Sequence, residues 1–68
     1  MSKFYVTKES TEDTFGVTDD LQEAIRIAKE VARNGQAGDL VLVESSDGKG
    51  VRQFVLTPDG TVAEKAVA

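Results

Sequence analysis

One segment of the 68-residue sequence has the periodicity of an amphipathic helix, and it is surrounded by extended patterns. From Asp20 to Asn34, apolar residues recur at intervals of three and four, which places them on one side of a helix. Asp20 and Glu23 have the spacing of a capping box, and Gly35 suits the position that ends a helix. The pattern therefore predicts one helix over residues 20–34. Its predicted inner face consists of Leu21, Ala24, Ile25, Ala28, Val31 and Ala32.

The remaining sequence favours strands and turns. The predicted strands span residues 3–8, 14–17, 39–44, 51–57 and 61–67. Gly16 indicates a bulge, and the alanines near the carboxyl end are poor strand formers, so order at 14–17 and 61–67 is left open. Asp47-Gly48 and Pro58-Asp59-Gly60 are typical of turns. The fold class predicted is α+β: a small antiparallel sheet of three to five strands with one amphipathic helix on one face, in a single domain over 1–68.

The composition indicates the compartment and the classes of partner that this chain favours. It contains no Cys and no His, so disulfides are excluded and a reducing compartment, the cytoplasm, is predicted. There is no signal-peptide pattern and no run of about 20 apolar residues, so we expect a soluble protein without a membrane contact. Twelve acidic and eight basic residues give a net charge of −4, which disfavours nucleic acid as a partner. Six of the acids occupy a stretch without Lys or Arg: Glu9, Glu12, Asp13, Asp19, Asp20 and Glu23.

Catalytic chemistry has few candidates in this sequence. Without His or Cys, general acid–base work would need carboxylates, and the pairs at 12–13 and 19–20 are the available ones. Such pairs also suit Mg²⁺, but carboxylates before a helix are more typical of caps. Gly48-Lys49-Gly50 lacks the third glycine or the following Ser or Thr of a phosphate-binding loop, so it is interpreted as a hairpin turn. No catalytic, cofactor or metal residue is predicted; a carboxylate-based enzyme is kept as the second alternative.

The apolar run Leu40-Val41-Leu42-Val43 suggests a central strand that is apolar on both faces. One helix covers only one face of a sheet, and we expect Leu40 and Leu42 to face it. The second face would then carry Tyr5, Val41, Val43 and Val55. An uncovered apolar face commonly marks an interaction site, so the leading hypothesis is a non-enzymatic interaction module that forms a homodimer through it. The alternatives are that the patch is small and simply solvated, or that the acidic loop or the C-terminal segment folds over it.

A basic cluster on the predicted outer side of the helix supplies another hypothesis. Arg26, Lys29 and Arg33 share that side and would contact phosphates if the protein binds nucleic acid weakly. Glu23 and Glu30 interrupt the cluster, and Arg26 with Glu30 has the spacing of a helix ion pair.

The order of these motifs resembles that of a known group of domains. Segment 17–25 reads VTDDLQEAI and is followed by Asn34-Gly35, the apolar strand and the Asp-Gly turn. Over about residues 3–60 this layout resembles small bacterial domains of unknown function. The resemblance implies a bacterial or phage source and a βαββ arrangement, and it assigns no site residue.

Overall fold

The computed structural model describes residues 3–11, 13–46 and 52–65. A five-stranded antiparallel sheet carries one helix on one of its faces, as the sequence predicts. In chain order the elements are β1 (Phe4–Lys8), β2 (Thr14–Thr18), α1 (Leu21–Arg33), β3 (Leu40–Ser45), β4 (Arg52–Leu56) and β5 (Val62–Lys65). The strand order is β2-β1-β3-β4-β5, so the predicted central position of β3 is confirmed. The predicted turn at 47–50 and the last residues, 66–68, lie outside the described residues.

The helix begins and ends where the sequence indicates. The Asp20 side chain accepts a hydrogen bond from the backbone N–H of Gln22 at 3.0 Å, and the Asn34 backbone N–H donates to the carbonyl of Glu30 at 3.1 Å. Such an N-terminal cap is worth about 1 kcal/mol. The capping box itself is wrong in one respect: the Asp20 N–H donates to Thr18 Oγ1 at 3.1 Å. Glu23, expected to reach back to it, binds Arg26 instead.

Small side chains line the contact between helix and sheet. Ala24, Ala28 and Ala32 are buried along α1, and they let the helix backbone approach the strands closely. The sheet contributes the larger buried side chains, of which Phe54 is the largest. The buried core among the described residues consists of Val6, Ala24, Ala28, Ala32, Val41, Val43 and Phe54. The predicted inner face of the helix is thus confirmed, and Ile27, which the periodicity omitted, packs against the same core.

The expected orientation of β3 is wrong. Val41 and Val43 are 1% and 0% exposed and pack in the core with the helix, so Leu40 and Leu42 point to the other face. Four consecutive apolar residues contain no alternation that could set this choice. The signal lies one residue further on, because Glu44 is exposed and shares the face of Leu42.

A bulge distorts edge strand β2 where Gly16 indicated one. Val6 pairs with Gly16 and Thr7 with Thr14, so Phe15 is the extra residue. A Cβ atom at Gly16 would lie 3.1 Å from Ile27 Cδ1, which is tighter than ordinary contact. Glycine therefore allows β2 to pass close under the helix, and Phe15 comes to lie beside Ile27 at the side of the sheet that α1 occupies.

The turn between β4 and β5 depends on one carboxylate. Asp59 Oδ1 accepts hydrogen bonds from the Thr57 hydroxyl, from Thr61 N–H at 3.1 Å and from Thr61 Oγ1 at 2.8 Å. These donors hold the pKa of Asp59 below its usual range, the Thr57 hydroxyl having the largest effect. Gly60 follows with a φ of 91°, a left-handed conformation that favours glycine.

This turn leads to a prediction about pH. Because the pKa of Asp59 is lower in the folded protein than in the unfolded chain, its contribution is fully present above the usual carboxyl range and is lost as pH falls through the folded pKa. We expect the free energies of unfolding of the wild type and of Asp59→Asn to differ more at pH 7 than at pH 3. Urea denaturation at the two pH values measures this. An equal difference at both would contradict the role of the charged carboxylate.

Across the described part of the chain, no helix is long and apolar enough to cross a membrane.

Candidate interaction surfaces

The face of the sheet opposite α1 is not covered by any element that the structure describes. Because Val41 and Val43 face the helix, Leu40 and Leu42 project from the other side. Leu40 is paired with Val55, and that residue in turn with Ala63 on β5. We call this surface the open face, and its apolar members are Tyr5, Val17, Leu40, Leu42, Val55 and Ala63. Leu40, Leu42 and Val55 form its apolar centre.

The polar residues of the open face surround this centre. Thr7 and Gln53 flank Leu42 on the neighbouring strands, and Glu44 is paired with Tyr5. Lys65 lies beside Gln53 on the outermost strand β5. Glu44 and Lys65, which are of opposite sign, therefore stand on different strands at different levels of the same face. Glu9 borders the same surface beside Leu42 and Glu44.

The predicted interaction face is half correct. Tyr5 and Val55 lie on the open face, whereas Val41 and Val43 are core residues whose places are taken by Leu42 and Leu40. Sequence reasoning also missed Val17, which is 53% exposed and is paired with Tyr5. The available signal was the hairpin of β1 and β2. With the correct register, Val17 is paired with Tyr5, and the two side chains lie on the same face.

The basic side chains of the helix lie together but are not free as a group. Arg26 donates to Glu23 Oε2 at 3.2 Å, and its Nη1 lies 3.5 Å from Glu30 Oε2, which confirms the expected helix ion pair. The hydrogen bond with Glu23 raises the pKa of Arg26 and lowers the pKa of Glu23. Lys29 and Arg33 border an open depression of about 330 Å³ beside Arg26. Two carboxylates thus pair with Arg26, at one end of the predicted phosphate-binding cluster.

Three of the four carboxylates proposed for acid–base or Mg²⁺ chemistry lie at the start of the helix or outside the described residues. Asp20 caps the helix, Asp19 is exposed before it, and Glu12 of the other pair lies outside the described residues. Within the ranges that the structure describes, no group of three potential metal ligands comes together. Gly48-Lys49-Gly50 also lies outside these ranges.

An open depression of about 300 Å³, which we call the apolar cavity, lies between β2 and the second half of the helix. Phe15, Ile27 and Val31 supply its apolar wall, and Phe15 is 47% exposed. Lys8 and Glu30 contribute polar groups to its lining, and the Lys8 ammonium lies 3.6 Å from Asp39 Oδ2. The sequence did not indicate this cavity because it arises from the bulge and from the close approach of β2 to α1.

The fold defines a small α+β protein with a five-stranded antiparallel sheet, one covered face and one open face. Comparison with family models, curated proteins and solved structures finds no match to this chain. The resemblance to small bacterial domains therefore stays a prediction.

Proposed function

We propose that this protein is a non-enzymatic interaction module that binds a second copy of itself through the open face. The observation that carries the proposal is the apolar centre formed by Leu40, Leu42 and Val55, with Tyr5 beside it. Contiguous apolar surface of this kind is typical of interaction sites. With neither Cys nor His in the chain, the proposal includes no catalytic step and is compatible with the bacterial cytoplasm.

The size of the open face suits a weak dimer. Five strands spaced about 4.8 Å apart, each about five residues long, give a footprint of roughly 24 by 16 Å. Two such faces together would remove roughly 800 Å² from solvent, below the usual size of a stable specific interface. The accessible surface of the chain is 4368 Å², so each copy would contribute roughly a tenth of its surface. We therefore expect reversible association.

The charges of the open face support self-association over a charged partner. A twofold interface uses the same patch on both copies, so that patch must be complementary to itself. The open face carries charges of both signs, Glu44 and Lys65, as a self-complementary patch requires. The net charge of −4 opposes association at long range, and added salt screens that repulsion. Dimerisation should therefore strengthen as salt rises.

Substitution of Leu42 at the apolar centre tests the proposal. Sedimentation equilibrium of the wild type should give an average mass between monomer and dimer that rises with concentration, whereas Leu42→Lys should remain monomeric. The introduced ammonium would face its twofold copy across a dehydrated centre, where like charges repel. Gln22→Lys, on the exposed outer side of α1, adds the same charge and should dimerise like the wild type. A wild type that is monomeric at millimolar concentration in 0.5 M salt would refute the proposal.

A further inference from the structure

Strand β2 presents an unpaired backbone edge in the part of the chain that the structure describes. It pairs with β1 on one side only. The Glu9 N–H donates to the Leu40 carbonyl at 3.0 Å, which sets the alternation of hydrogen bonds along β1. By that alternation, Val6 and Phe4 direct their backbone N–H and C=O groups toward β2, where they are paired with Gly16 and Thr18. Val17, between them, therefore directs its own N–H and C=O away from β1.

The two edges of the sheet differ in their protection. Edge strands usually carry charged residues or proline that discourage pairing with another chain. Strand β5 follows this rule through Glu64 and Lys65. Strand β2 reads TFGVT and has neither a charge nor a proline, while acids stand at its two ends: Asp13 before it, and Asp19 and Asp20 after it. The strand is therefore open for pairing in its middle and negatively charged at its borders.

These acids discriminate between occupants of the edge. Antiparallel pairing of two β2 strands would bring the acids at the ends of one strand, Asp13, Asp19 and Asp20, close to those of the other. Like charges opposite one another on paired strands are destabilising. An incoming strand with Lys or Arg at its two ends would instead make favourable pairs with the same acids. Charge complementarity thus disfavours a second copy at this edge and favours a segment of another protein with basic ends.

The apolar cavity supplies a second, independent contact beside the same strand. Phe15, Ile27 and Val31 form its apolar wall on the helix side of β2, and its volume of about 300 Å³ admits an apolar side chain. In strand addition, backbone hydrogen bonds provide affinity and pockets for alternate side chains provide specificity. Both features therefore occur at one edge of this sheet.

We propose that the outer edge of β2 binds an extended segment of a partner protein that has basic residues at both ends and an apolar side chain for this cavity. The incoming backbone pairs with Val17. Its basic ends lie near Asp13 and Asp19. This surface is separate from the apolar centre of the open face, so a dimer and a bound segment can coexist.

A defined peptide tests this binding mode. The probe is fluorescein-labelled Lys-Lys-Thr-Val-Thr-Val-Thr-Lys-Lys, and its control replaces all four lysines with glutamate. Fluorescence anisotropy should show at least tenfold tighter binding of the lysine peptide, weakening as salt rises. In ¹H–¹⁵N spectra, the amide shifts should concentrate on β2 and on the lining of the cavity. Equal affinity for both peptides, or shifts confined to other strands, would overturn the proposal.

Substitutions at Val17 separate backbone pairing from side-chain contact. Val17→Pro removes the outward N–H, and proline is tolerated on an edge strand whose N–H faces solvent. We expect it to weaken peptide binding at least tenfold, whereas Val17→Ala keeps the N–H and should stay within about threefold of the wild type. Similar affinities for these two variants, both folded, would argue against strand addition. If Val17→Pro does not fold, the ¹H–¹⁵N amide shifts of the wild type test strand addition by themselves: shifts on β2 support it, and shifts confined to other strands contradict it.

The open-face variant keeps this result distinct from dimerisation. Leu42→Lys leaves β2 and its flanking acids unchanged, so it should bind the lysine peptide with wild-type affinity while remaining monomeric. The two associations should also respond to salt in opposite directions. Loss of peptide binding in folded Leu42→Lys would contradict the independence of the two surfaces.

Discussion

Phe54→Ala should destabilise the protein by about 3–5 kcal/mol, the range for truncating a fully buried aromatic side chain. Phe54 is 0% exposed and is the largest buried side chain of the described core. Native domains gain roughly 0.05–0.15 kcal/mol of stability per residue, which gives about 3–10 kcal/mol for a chain of this length. We therefore expect a largely or wholly lost folding transition, measured by circular dichroism during urea denaturation.

Phe15→Ala is the matched control for this change. It makes the same substitution at a phenylalanine that is 47% exposed on the edge strand. Part of its ring already contacts water, so less apolar surface is lost to solvent and we expect a loss of about 1 kcal/mol or less. If Phe15→Ala destabilised the protein as much as Phe54→Ala, the core would not be where the structure places it.

Val43→Lys should be nearly as damaging, and for a different reason. Val43 is 0% exposed beneath the helix, so the new ammonium would be buried among apolar side chains without a partner. An unpaired buried charge is destabilising by several kcal/mol, even after local rearrangement. We expect Val43→Lys to be mostly unfolded at pH 7. Denaturation followed by circular dichroism measures the effect.

Leu42→Lys, one position away, tests the orientation of β3 directly. Leu42 lies on the open face, where a lysine stem can lie along the sheet while its ammonium reaches water. The free energy of unfolding of the monomer should therefore change by about 1 kcal/mol or less. A folded Val43→Lys together with an unfolded Leu42→Lys would show that the helix packs on the opposite face.

The helix illustrates how much of this fold the sequence predicts. Its start at Asp20, its end at Asn34 and its apolar stripe all depend on residues within four positions of one another. The strands predicted at 3–8, 39–44 and 51–57 and the Pro58-Asp59-Gly60 turn are local in the same sense, and they are confirmed within the described residues. Order at 14–17 and 61–67 was left open by the sequence and is seen only in the structure, as β2 and β5. The fold class therefore follows from local patterns, each of which lies within a single segment of the sequence.

The candidate site was predicted less completely because it depends on contacts between segments. That one sheet face stays open follows from having a single helix, and Tyr5 and Val55 were assigned to it correctly. Val41 and Val43 were not, because four consecutive apolar residues fit either orientation equally well. The edge position of β2 and the cavity beside Phe15 depend on strand order and on a bulge, neither of which a single segment specifies.

What the sequence determined by itself is thus one capped amphipathic helix, three strands and an uncharged stretch between acids at 14–18. Only the tertiary structure decided whether β2 and β5 are ordered and which side of β3 meets the helix. The physical reason is that the orientation of β3 depends on contacts between segments: Val41 and Val43 pack in one core with the alanines of the helix, while exposed Glu44 shares the other face with Leu42. Leu40 and Leu42 are left on the open face, where we propose that a second copy binds.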